Sequence, residues 1–185
     1  MVYFISDTHF GHKGSLKWPN GAARNFKDLN EMHETIINNW NSVVKKDDII
    51  YFLGDFAYKC SEKQIKHFFD SLNGTIIFIK GNHDGRTLKA NQKYHRFQSV
   101  HELLHLTINN KEFILCHYPI ESWNGKNRGA IHLHGHTHER TPNITGNIMN
   151  VSCEVVNYTP VSIEEVINKF TTSSNKLLKD DKTNK

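Results

Sequence analysis

Three apolar runs, Val2–Ile5, Ile49–Leu53 and Thr75–Ile79, constrain this chain more than anything else in it. The stretches between them read as helices. Asp28 with Glu31 three residues on makes a capping-box-like start. Leu29, Met32, His33, Ile36, Ile37, Trp40 and Val44 then recur near helical spacing. Ile65, Phe68, Phe69 and Leu72 share one face of a second helix near 61–72, and Asn73-Gly74 stops it. Strand, helix, strand, helix, strand implies parallel pairing with right-handed crossovers. In such sheets ligands bind beyond the carboxyl ends of the strands. Those ends here carry Asp7-Thr8-His9, Gly54-Asp55 and Gly81-Asn82-His83-Asp84.

The second half is β-rich. Leu103–Ile108, Asn109-Asn110 and Glu112–Cys116 read as a hairpin running into His117. Ala130–Leu133 is a short strand ending in His134-Gly135-His136-Thr137-His138. Short strands near 147–151 and 153–156 follow, then a helix after Pro160 with Ile163, Val166, Ile167 and Phe170 on one face. The expected fold is α/β, of the four-layer α+β type: a β-sandwich of two mixed sheets flanked by helices. At 185 residues the length suits one domain, 1–172, followed by a polar, disordered tail, 173–185.

Composition narrows the function. A hydrophobic fraction of 37% and a charged fraction of 23% suit a globular protein, and no apolar run approaches the roughly 20 residues that span a bilayer. Met1-Val2-Tyr3-Phe4-Ile5 reads as a first strand and not as a signal peptide, so the expected location is cytoplasmic, with no membrane partner. Cys60, Cys116 and Cys153 are odd in number and widely spaced, which indicates neither a disulfide frame nor a zinc ribbon. The net charge of +4 is too small to indicate a nucleic-acid partner. The 13 histidines ask for an explanation, and metal binding is the first to test.

Asp7, His9, Asp55, Asn82, His117, His136 and His138 offer oxygen and nitrogen donors and no thiolate. Seven exceed what one tetrahedral zinc takes. They suit two ions with four protein ligands each, if one carboxylate bridges. Where strand geometry persists, the i and i+2 residues of Asp7-Thr8-His9 point to one side, and His136-Thr137-His138 repeats the device. Taken singly, each of these residues is more ordinarily a turn residue or a surface histidine. It is the ordered set that is specific.

That set, Asp-x-His, Gly-Asp, Gly-Asn-His-Asp, His and Gly-His-x-His over residues 7–138, resembles the calcineurin-like metallophosphoesterase superfamily. The resemblance implies that Asp7, His9 and His138 hold one divalent ion, that Asn82, His117 and His136 hold the other, and that Asp55 bridges them. His83 would be the catalytic acid and Asp84 its orienting partner. Mn²⁺ is favoured, with Fe and Zn²⁺ also compatible. The implied activity is hydrolysis of a phosphodiester or phosphomonoester, a small nucleotide-like substrate being favoured, by attack of metal-bound hydroxide. A nuclease using the same site is the alternative within this chemistry. A catalytically silent binding scaffold on the same fold is the alternative outside it, and the intact ligand set speaks against that. His12, Arg24 and Arg128 are candidates to contact substrate phosphate. Trp18, Tyr118 and Trp123 are candidates to stack on a base. For each, the commoner fate is solvation or anchoring of its own loop.

Overall fold

A computed structural model describes residues 1–18 and 24–180, with side chains through Thr171. Strands β1 (Val2–Ile5), β2 (Ile49–Phe52), β3 (Thr75–Ile79) and β4 (Phe97–His101) lie parallel in one sheet. The short strand β9 (Val161–Ser162) adds to it antiparallel beside β1, giving the order β4-β3-β2-β1-β9. The second sheet has the order β5-β6-β7-β8, from Leu103–Ile108, Lys111–Cys116, Ile131–His134 and Ile148–Asn150. Its first pair is the expected antiparallel hairpin and its other two pairs are parallel.

The apolar runs are continuous because both faces of the first sheet are covered. Ile5, Ile50, Phe52, Ile76 and Phe78 face helices α1 (Leu29–Val43), α2 (Glu62–Ser71) and α3 (Gly85–Tyr94). Phe4, Tyr51, Leu53 and Ile79 point the other way, against Phe113, Leu115, Ile131 and Leu133 of the second sheet. Each such buried side chain contributes about 1.5–3 kcal/mol. Helix α4 (Ile163–Asp180) sends Ile163 and Val166 into this inter-sheet core beside β9. The outer face of the second sheet carries Ile114, Trp123 and Ala130 with Ile120, Ile144 and Ile148, a small cluster beneath loops.

The caps match the sequence. Asp28 accepts the N–H groups of Asn30 and Glu31 at 2.9 and 3.0 Å, and Ser61 with Gln64 forms a full capping box at α2.

Several elements differ from expectation. Helix α3 and strand β4 had no sequence signal. The helix buries only the small Thr87 and Ala90, and the edge strand buries only Phe97, so neither shows a strong period. The strand expected near 153–156 is a turn, and the chain returns to the sheet later, at β9. Helix α4 runs to Asp180 and so overlaps the expected tail, whose last residues, 181–185, lie outside the described residues. Among the described residues no helix is long and apolar enough to cross a membrane. The three cysteines are buried free thiols.

Candidate metal centre

The carboxyl ends of β1, β2 and β3 meet those of β6 and β7 at one end of the sandwich. The sheets are joined there by Ser6, whose N–H donates to Val151 O at 2.9 Å and whose carbonyl accepts from Cys153 N at 3.0 Å. Asp7 N donates to Gly54 O and Gly135 N to His117 O, both at 2.9 Å, so loops from four strands are laced together.

Two overlapping donor groups result. Ligand atoms of Asp7, His9 and His138 lie within 4.8 Å of one another, and so do those of Asp7, Asp55 and His117. Asp55 Oδ2 stands 3.5 Å from His9 Nε2 and 3.6 Å from His117 Nε2, between the two groups. Asn82 Oδ1 is 3.1 Å from His117 Nε2 and 3.0 Å from His136 Nδ1. All seven expected ligands therefore converge.

The loops achieve this by a route other than the expected one. Strand geometry does not persist: Asp7 (φ 56°), His9 (φ 45°), Asp55 (φ 60°), His136 (φ 67°) and His138 (φ 50°) are all left-handed. Asp and His tolerate this region better than most residues, yet each costs on the order of 1 kcal/mol. Such strain clusters at functional sites. Two motif glycines provide close approach. A Cβ at Gly81 would stand 2.3 Å from Asp55 Oδ1, and one at Gly135 would stand 2.3 Å from Asp7 Oδ2.

The surroundings suit cations. Asp7 is fully buried, and its Oδ2 accepts from Ser6 Oγ at 2.6 Å, Ser152 Oγ at 2.9 Å and His136 N at 3.0 Å. Burial alone would raise its pKa, but the His9, His117 and His138 rings hold it well below the ordinary carboxylate range. Burial lowers the pKa of His9 and of His136, keeping both rings neutral and ready to donate a lone pair. His117 Nδ1 lies 2.7 Å from Leu53 O, which leaves Nε2 for the cluster. Among the described residues, neither buried ring nitrogen of His9 has a hydrogen-bond partner. Orphaned nitrogens beside two carboxylates fit divalent cations, and the thiolate-free donor set fits borderline to hard ones.

His83 is exposed at the mouth of this cluster, its ring 5.7 Å from that of His9 and 5.1 Å from that of Tyr58. Asp84 does not orient it. The Asp84 carboxylate is buried and accepts from Asp55 N at 2.7 Å, Phe56 N at 2.9 Å and Gly81 N at 2.8 Å. It holds two ligand loops together by their backbones, and burial pushes it up to about 6 despite those three donors.

The three expected phosphate contacts part ways. His12 lines the site, its ring tilted against those of Tyr58 at 4.0 Å and His9 at 5.5 Å, and burial takes it down to about 4. Arg24 is 1% exposed and occupied by Glu154 and by the carbonyls of Asp7 and Thr8, so it offers substrate nothing. Arg128 precedes β7, and so sits at the other end of the sheet, lining a separate cavity of roughly 550 Å³. Of the aromatic residues, Trp123 is buried and donates to Ala130 O within its own loop. Trp18 packs 4.5 Å from His138, and the 43%-exposed Tyr118 packs 4.7 Å from His136. Sequence reasoning missed Ser6, Ser152 and Glu154, since short polar residues near strand ends carry no distinguishing pattern.

Overlapping carboxylate–imidazole clusters thus stand at the strand ends of a two-sheet α/β sandwich, where they could hold divalent metal ions. The chain belongs to the calcineurin-like phosphoesterase superfamily, whose domain matches residues 1–158. It is 38% identical over 173 residues to an uncharacterized protein of Methanocaldococcus jannaschii, covering 90% of this chain and 89% of that one. It is 29% identical over 165 residues to the gene 66 protein of Mycobacterium phage L5, covering 74% and 77%. Among solved structures, a protein of unknown function from Aquifex aeolicus aligns with a TM-score of 0.72 at 26% identity, covering 91% of this chain and 98% of that one.

Proposed function

We propose that the protein is a cytoplasmic dinuclear phosphoesterase acting on a small phosphodiester or phosphomonoester, with nucleotide-like compounds favoured. The observation that carries this reading is His9: two buried ring nitrogens, unpartnered among the described residues, amid convergent carboxylates and imidazoles. Asp7, His9 and His138 would hold one ion and Asn82, His117 and His136 the other, with Asp55 shared. A bound pair of divalent ions, Mn²⁺ favoured, supplies Lewis acidity toward phosphorus and an activated water.

The chain's own residues do the rest. Neutral imidazoles and two carboxylates leave the occupied site net positive, which draws in an anionic ester. His83 stands outside the ligand set, open to solvent, and gives a ring N–H proton to the leaving oxygen. Its backbone N–H donates to Asp55 Oδ1 at 2.8 Å, which keeps the acid beside the shared carboxylate. His12, Trp18 and Tyr118 line the mouth and contact the rest of the ester.

The test is a panel of mono- and diesters, cyclic nucleotides and single-stranded oligonucleotides, assayed after chelation and again after Mn²⁺ is restored. Mn²⁺-dependent turnover of small esters is expected. Turnover confined to oligonucleotides would make the protein a nuclease. Bound Mn²⁺ with no turnover of any ester would make it a scaffold.

A further inference from the structure

Beneath the first donor group lies a buried ion pair that the proposed chemistry does not use. Arg24 and Glu154 come from opposite ends of the chain, 130 positions apart. The Glu154 side chain is 3% exposed; its Oε1 accepts from Arg24 Nε at 2.7 Å and pairs with Nη2 at the same distance. The same Oε1 lies 3.2 Å from His138 Nδ1. On its other side the guanidinium donates from Nη1 to Thr8 O at 2.6 Å and from Nη2 to Asp7 O. One pair thus grips His138 by its ring and the Asp7-Thr8-His9 loop by two consecutive carbonyls.

A pair needed only for stability would look different. Burying two charges costs desolvation, and apolar residues of similar size often do as well. A carboxylate serving its arginine alone takes a two-pronged fork with both oxygens filled. Among the described residues Glu154 Oε2 is buried with no hydrogen-bond partner, while Oε1 is shared between the arginine and a candidate ligand. Carboxylates behind ligating imidazoles fix which nitrogen is protonated and how the ring is turned.

We propose that Arg24 and Glu154 are a positioning pair for the first metal ion. Glu154 keeps His138 protonated at Nδ1, with Nε2 presented to the ion, and Arg24 holds the Asp7–His9 loop at the matching distance. This rests on the dinuclear reading above.

The test titrates Mn²⁺ into metal-free protein, followed by calorimetry and by electron paramagnetic resonance, which separates a lone Mn²⁺ from a coupled pair. The variants are Glu154→Gln and the apolar double replacement Arg24→Met with Glu154→Leu. The double variant is expected to fold, by circular dichroism, and to bind one of the two ions about 10–100-fold more weakly while the other is unchanged. The coupled-pair signal then appears only at higher Mn²⁺. Glu154→Gln keeps the shape and an acceptor, and is expected to lose less affinity at the same ion. If the double variant does not fold, Glu154→Gln decides alone, and wild-type affinity for both ions would overturn the proposal. So would wild-type affinity for both ions in a folded double variant. A wild type that takes up no Mn²⁺ would instead overturn the dinuclear reading, and this proposal with it.

Discussion

The backbone N–H of His83 donates to Asp55 Oδ1 at 2.8 Å, while Asp55 Oδ2 faces His9 and His117. One carboxylate therefore addresses the candidate acid through one oxygen and both donor groups through the other. Asp55→Asn keeps the shape but loses the charge between the groups. Hydrolysis of an aryl phosphodiester in Mn²⁺ is expected to fall at least about 100-fold, more than a supporting residue costs. Circular dichroism checks that the fold is kept. Wild-type turnover would remove Asp55 from the centre.

His83→Ala is expected to act on the chemical step and not on metal uptake. An ester with a poor leaving group, such as a dialkyl diester losing an alcohol, needs its departing oxygen protonated, and one losing nitrophenolate does not. The loss should reach about 100-fold for the former and be much smaller for the latter. A leaving-group series measures this, and equal slowing across it counts against the acid role.

Gly81→Ala places a methyl group 2.3 Å from Asp55 Oδ1 and 2.6 Å from Asp55 N. Neither backbone can retreat, because Asp84 ties both by their N–H groups. The expected cost is about 1–3 kcal/mol in urea denaturation, together with weaker Mn²⁺ binding. A variant of full stability and full affinity would show that the loops are not in close contact.

Away from the centre, His33 Nε2 accepts the Gly11 N–H at 2.9 Å, and burial pushes the ring from 6.5 down to about 4. Between those values the unfolded chain binds a proton that the folded one excludes. The stability tied to the neutral ring is therefore complete above about pH 6.5 and is lost as pH falls toward about 4. Urea denaturation of metal-free protein should show His33→Gln flattening that slope by at most about 1.4 kcal/mol per pH unit, the value for one proton. Parallel slopes in the two proteins would exclude His33 as a contributor.

Much of the centre was legible because its ligands stand directly after apolar runs, where topology alone brings loops together. Asp55 follows the apolar run of β2 directly, and so falls at that strand's carboxyl end. Partners made by tertiary contact were not legible. Arg24 in a polar loop looks like a solvated cation, and only Glu154, 130 positions away, makes it a buried one. Asp84 was misassigned because its partners are main-chain N–H groups, which look alike in every sequence. The left-handed turns at Asp7 and His9 left no mark either, since Asp and His also occur in strands. Helix α3 escaped notice because a stripe of Thr87 and Ala90 carries little periodic signal.

The lacing of Ser6 to Val151 and Cys153 has a kinetic consequence. The donors of the first group are contributed by the start of the chain and by residue 138, so no autonomous fragment contains them. Loop-closure entropy must be met over most of the chain before they meet. A divalent ion added during refolding should leave the early collapse rate unchanged and trap only the last species formed. Metal uptake then serves as a clock for the docking of the two sheets, and a mutation that slows docking will delay uptake even where every ligand is intact.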